Sequence, residues 1–216
     1  MIIIEDKAQQ DKKHELKHLY WEQNGIYFER YPLPVGDYIL YNDVVADVIA
    51  RKQKRGIEVK KLDFLGTYDV CVDTKKDMQE IVGNICGKQH ERFRDECILA
   101  QNNGIKLYVL IENECGVTCV NDVFSWHNER LDIYVADKNN VVGYWKNGNP
   151  RYGRKRKYPF ATKGEQLAKS MLTMQKKYSV EFLFCRPNEA GETIIKLLNR
   201  SDDINGGKTN VCKDSD

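Results

Sequence analysis

The sequence predicts a mixed α/β domain in which a sheet is sandwiched by helices. Two observations carry this. Short β-prone apolar runs, at residues 2–4, 70–72 and 105–112, alternate with stretches whose apolar residues recur at helical spacing. The order of those stretches is strand, helix, several strands, helices, strand, helix, strand, helix, which is not a regular doubly wound alternation. The chain has 216 residues, a length that suits one domain with at most a small appendage.

Residues 2–4 read as a buried strand running into Glu5 and Asp6. The acids that follow so closely argue against a secretory signal. Residues 11–23 read as a helix with Leu16, Leu19, Tyr20 and Trp21 on its apolar side, closed by Asn24-Gly25. Residues 26–30 and 35–40 read as strands, the second broken at Gly36. Residues 42–68 are charged and mixed, and read as an insertion. A strand at 68–73 precedes a helix from Asp77 with Met78, Ile81, Val82 and Ile85 on one face. A second helix at 91–102 leads to the clearest buried strand, IKLYVLIE at 105–112. Beyond it, 122–126 and 128–131 read as loop and short helix, and 132–136 and 141–145 as two short strands. A basic stretch follows, then a helix at 164–177 with Leu167, Met171, Leu172 and Met174 as core candidates, a strand at 180–185 and a helix at 191–199. Residues 1–200 are thus expected to form one domain, and the polar residues 201–216 a disordered tail.

Composition excludes several classes. No apolar run approaches the ~20 residues of a membrane span. There is no G-x-G-x-x-G, no P-loop motif and no G-x-S-x-G. The seven Cys are odd in number and widely spread, as in a reducing compartment, and the Cys115, Cys119 and His127 spacing lacks a second ligand pair for zinc. A net charge of +2 says nothing about nucleic acid, but its distribution does. Arg151, Arg154, Lys155, Arg156 and Lys157, interleaved with Tyr152 and Tyr158, could grip phosphates while a ring stacks on a base.

The chemistry concentrates near strand ends. Side chains alternate along a strand, so Asp73 and Lys75 share a face. A carboxylate beside a lysine at the end of an apolar strand can bind a hard divalent cation and stabilise charge on a phosphoryl group. Asp37, after Gly36, supplies a second carboxylate and Glu5, ending the first strand, a third. Asp37 with Asp73-x-Lys75 fits the P-D…(D/E)-x-K pattern of restriction-type nucleases, which is short enough to arise by chance.

The surroundings of that pattern carry more. Leu33-Pro34-Val35-Gly36-Asp37-Tyr38-Ile39-Leu40, Val70-Cys71-Val72-Asp73-Thr74-Lys75-Lys76-Asp77 and the helix holding Arg92-Phe93-x-x-Glu96 together resemble the core of the XPF family of structure-specific nucleases. The opening Ile2-Ile3-Ile4-Glu5 sits where the family's first strand and acid stand. The resemblance covers residues 1–113 best. It implies a restriction-endonuclease-like fold and a metal-dependent DNA endonuclease. Asp37, Asp73, Lys75 and Glu80 would be its catalytic groups, and Glu5, Asp37 and Asp73 its ligands for Mg²⁺ or Mn²⁺. Arg92 and the basic stretch would contact DNA. Three departures stand out. Thr74 replaces an arginine, the last acid falls on Gln79 with Glu80 beside it, and no helix-hairpin-helix pair follows. With the long 42–68 segment, these suggest a diverged bacterial or bacteriophage type, acting in the cytoplasm of a bacterial or phage-infected cell. DNA is the expected partner and a membrane is not; a homodimer or a protein partner stays open. Thr74 and Gln79 also leave open a DNA-binding protein that keeps the fold without catalysis, and the acids could instead be surface residues of a regulatory protein.

Overall fold

The structure is a computed structural model, and it describes residues 1–9 and 14–200. The predicted tail at 201–216, and the first turn of the helix expected from residue 11, lie outside the described residues.

Six strands form the main sheet: β1 (Ile2–Asp6), β2 (Tyr27–Tyr31), β3 (Tyr38–Leu40), β4 (Val70–Lys75), β5 (Lys106–Glu112) and β8 (Val180–Cys185), ordered β2-β1-β3-β4-β5-β8. β3 runs antiparallel to β1 and β4, while β1–β2, β4–β5 and β5–β8 are parallel pairs. The predicted mixed sheet is therefore observed.

The sheet has two apolar faces, and each takes its own helices. Cys71, Leu107, Val109, Ile111 and Phe182 face α2 (Asp43–Lys54), α3 (Met78–Ile85), α4 (His90–Asn102) and α6 (Gly164–Lys177). Ile3, Tyr38, Val70, Val72, Tyr108 and Leu110 face α1 (Glu15–Gln23) and α7 (Ala190–Leu198). This parity decides where every polar residue at a strand end points. On β1, Ile3 lies in the α1/α7 core and Ile4 in the other, so Glu5 follows Ile3 and Asp6 follows Ile4.

Local reading and structure part at four places. The segment expected as an insertion is largely α2, whose Val45, Val48 and Ile49 are core residues. On α1, Leu16 and Leu19 are exposed while Lys17 and Trp21 are buried, because Trp21 Nε1 donates to Gly191 O (3.0 Å) and Lys17 meets Glu112. On α6, Leu172 is exposed and Ala168 takes the core position. The two short strands expected at 132–145 are one strand, β6 (Tyr134–Tyr144), paired with β7 (Pro150–Arg156), which holds most of the basic stretch. α5 (Val120–Val123) precedes this hairpin.

Candidate active site

An open cleft of about 1060 Å³ runs along the C-terminal end of β4. Asp37, Asp73, Lys75 and Glu96 form its floor. Parity on β4 aims Asp73 and Lys75 to the α4 side, continuing the face of Cys71. Asp37 arrives through a tight turn. Gly36 has φ +73°, and a Cβ there would stand 2.9 Å from the Cβ of Cys71. Only a glycine lets the chain pass this close to β4. Asp37 N donates to Val72 O (2.8 Å), and Asp6 N donates to Asp37 O (2.7 Å), so the Asp37 backbone ties β1 to β4. The Asp37 carboxylate accepts from both Thr74 N and Thr74 Oγ1 through one oxygen, Oδ2, at 2.8 Å each. Thr74 thus holds Asp37 in place. From α4, Glu96 Oε1 accepts from Gly36 N (2.9 Å).

Lys75 Nζ lies 2.6 Å from Asp73 Oδ2 and 5.4 Å from the Phe93 ring centre. Both partners are almost wholly buried. The contact is a close ion pair, and among the described residues no other donor reaches Asp73 Oδ2. Electrostatics in the cleft is one-sided. Burial, then the charges of Asp37 and Glu96, push Asp73 well above the usual carboxylate range despite Lys75. Burial and Asp37 raise Glu96 as well, against its bond from Gly36 and the charge of Lys75. Burial would lower Lys75, but Asp73 and Asp37 outweigh it and hold the ammonium protonated. Three carboxyl groups facing one ammonium at the floor of the cleft favour a further positive charge there.

That charge excess and the hard oxygen donors of Asp37, Asp73 and Glu96, with Asp73 Oδ2 met only by Lys75 among the described residues, fit a divalent cation of the Mg²⁺ kind. Among the described residues no three His, Cys, Asp or Glu side chains already close on one ion position.

The other predicted residues fall as follows. Glu5 is not brought to Asp37 and Asp73. It points to the α1 side, where Arg30 Nε donates to it (2.6 Å), His18 Nε2 lies at 2.9 Å and Tyr38 OH donates at 3.3 Å. Its neighbour Asp6 lines the cleft instead, and accepts from Leu33 N (3.0 Å). Glu80 lines the cleft, but its carboxylate accepts from Lys76 N (2.9 Å) at the start of α3, where Asp77 is the N-cap. It makes no hydrogen bond or ion pair with Lys75 among the described residues. Gln79 Nε2 donates to Asn128 Oδ1 (2.8 Å), tying α3 to the segment before the hairpin. Arg92 stands on the rim, held by Gln89 Oε1 (3.3 Å). Arg151, Arg154, Lys155, Arg156 and Lys157 lie on and beside β7, outside the cleft. In the sequence Glu96 stands only as part of the Arg92-Phe93-x-x-Glu96 helix motif, and nothing local signals that it reaches the turn at Gly36.

A three-layer sheet of this order with acids at the β3–β4 junction defines a nuclease-type domain. The solved structure of XPF from Aeropyrum pernix in complex with DNA is similar, with TM-score 0.50, 11% identity, and coverage of 94% of this chain but only 65% of that one. This likeness shows the XPF nuclease fold. The model of the ERCC4 domain matches residues 5–197, and the chain belongs to that family of XPF-type nucleases. No curated protein sequence matches the chain. The matches give no support to a bacterial or bacteriophage branch, so that expectation is withdrawn. No helix among the described residues is long and apolar enough to cross a membrane.

Proposed function

We propose that the chain is a DNA endonuclease that hydrolyses phosphodiester bonds with the help of Mg²⁺ or Mn²⁺. The observation that carries this is the convergence of Asp37, Asp73, Glu96 and Lys75 in one cleft. The structure of the similar Aeropyrum pernix XPF with DNA and the family membership support it.

Asp37 and Asp73, joined by Glu96, would hold the cation, which when bound supplies Lewis-acid stabilisation to phosphoryl oxygen. Thr74 keeps Asp37 oriented through its amide and hydroxyl. Lys75 stays protonated, so it serves as a donor to the oxygens where negative charge grows, not as a base. Glu96, held through Oε1 and raised in pKa, presents a carboxylate able to take the proton of an attacking water. Arg92 and Arg130 stand at the rim, where a phosphate backbone would pass.

The test is cleavage of labelled single-stranded, duplex and forked DNA with Mg²⁺, Mn²⁺ or EDTA, beside Asp73→Asn. Metal-dependent cutting should fall by at least about 10²-fold in the variant, the scale for losing one preorganised charged group. A folded Asp73→Asn protein that cuts as fast as its parent would refute the assignment. One observation favours a DNA-binding protein without catalysis: Gln79, engaged with Asn128, brings no charge to the cleft. Salt-sensitive DNA binding with no cutting under either metal would select that reading.

A further inference from the structure

The β6–β7 hairpin is not used by the chemistry above. Among the described residues its strands pair only with each other, and all of their residues are exposed or half-buried. Residues 134–158 carry seven Lys or Arg against one Asp, while the whole chain is only +2. The arm therefore concentrates the positive charge, and the rest of the molecule is net acidic.

Aromatic rings accompany that charge where a core would not use them. Tyr144 is 72% exposed, Trp145 59% and Phe160 96%, with Tyr134, Tyr152 and Tyr158 also open. Several rings carry a cation on one face: Arg151 over Trp145 at 5.1 Å, Arg154 over Tyr134 at 5.6 Å, and Lys157 over Tyr158 at 5.2 Å. The tip is a set turn, with Gly148 N donating to Trp145 O and Trp145 N to Asn149 O, so Trp145 is presented from an ordered backbone. The root of the arm joins the cleft. Lys157 N donates to Ile133 O (2.7 Å), and Arg130, which lines the cleft, lies 5.7 Å from the Tyr158 ring centre.

We infer that this hairpin is a binding arm for single-stranded DNA, leading an unpaired strand toward the cleft. This deepens the nuclease reading, and rests on it for the choice of DNA. The chemistry selects the occupant. Lys and Arg alone would serve any phosphate backbone, but exposed flat rings need base faces, which a duplex hides within its stack. A ring with a cation on one side, as at Trp145 and Tyr134, keeps its other side for a base.

The test measures binding by the full chain in EDTA, so that cutting plays no part. Fluorescence anisotropy compares a short oligo-dT strand, a duplex of equal length and oligo-U. The parent should prefer oligo-dT, with log affinity falling against log salt at a slope of about −3 if four to five phosphates are neutralised. Trp145→Ala should weaken oligo-dT about tenfold, the scale of one base–aromatic stack, and leave duplex affinity within about twofold. Trp145→Phe should recover most of the loss. Duplex bound as tightly as oligo-dT, an unchanged affinity in Trp145→Ala, or tighter binding of oligo-U would overturn the inference. If oligo-dT binding behaves as stated but no metal supports cutting, the nuclease reading fails and the arm stands. If cutting occurs while Trp145→Ala binds like the parent, the reverse holds.

Discussion

Replacing Gly36 with alanine would act on the turn that delivers Asp37. Two effects add. At φ +73° an L-residue with a Cβ is strained, by about 1–2 kcal/mol. The new methyl would also stand 2.9 Å from Cys71 Cβ, 3.0 Å from its Sγ and 3.3 Å from Val72 O. Cys71 is fully buried in the sheet, so it cannot swing away, and overpacking of this kind costs roughly 1–3 kcal/mol. The sum is about 2–5 kcal/mol, or a melting temperature lower by roughly 5–15 °C for a domain of this size. Gly25→Ala is the control. Its φ is +65°, yet nothing lies within 4 Å of the added Cβ, so it carries only the backbone strain. Thermal and urea unfolding followed by circular dichroism would separate the two effects. Cleavage measured well below the transition should fall further than folding explains in Gly36→Ala, because Gly36 N anchors Glu96 and Asp37 N anchors to β4. If Gly36→Ala melts no lower than Gly25→Ala, the close approach at Cys71 does not constrain the site and the argument fails.

Three further outcomes follow from the same geometry. Thr74→Val removes the hydroxyl that Asp37 accepts from at 2.8 Å but keeps the amide; kcat should drop about tenfold or more, since a hydrogen bond to a charged group is worth roughly 1.5–3 kcal/mol, while KM stays near the parent's and Thr74→Ser restores the rate. Glu96→Gln relieves like charge beside Asp37 and Asp73, so it should raise the melting temperature at neutral pH and lower cleavage; a destabilised Glu96→Gln would show that the carboxylate is structural. The α1 side gives a pH dependence of stability. Burial and the charge of Lys17 hold His14 below its ordinary 6.5, so the unfolded chain takes up this proton first and stability declines as pH falls below about 6.5. Burial opposes ionisation of Glu5, but His18 and Arg30 outweigh it and hold the group below 4.5, adding a second loss below that pH. Asp73 and Glu96, raised by burial, pull the other way as they protonate, so the His14 limb is read as the difference between the urea midpoints of the parent and His14→Gln from pH 7.5 down to 3; curves of equal slope would remove His14 from the account.

Much of the scaffold was legible because its signals are local. The apolar run at β5, the helical spacing of Met78, Ile81, Val82 and Ile85, and the strand at 180–185 each bury a face that the residues themselves declare. The pairing of Asp73 with Lys75 was equally local, since alternation alone puts them on one side of β4. The carboxylate of β1 was not local in this sense. Choosing between Glu5 and Asp6 requires knowing which face of the sheet holds the cleft, and a one-residue change of parity moves an acid through the sheet. Lys17 could be read as surface until Glu112, far along the chain, was placed beside it. The basic stretch carries no strand signal of its own, because its lysines and arginines show no apolar alternation; pairing with β6 makes it a strand.

The class of fold, the break at Gly36 and the Asp73-x-Lys75 pair are legible in the chain's own residues, because backbone sterics and side-chain alternation act over a few residues. It takes the folded sheet to bring Glu96 to the acids, to set Glu5 apart from them, and to join the cationic and aromatic residues beyond β5 in one hairpin. Those outcomes depend on strand register and on charge partners distant in sequence, and neither is written in any short window of the chain.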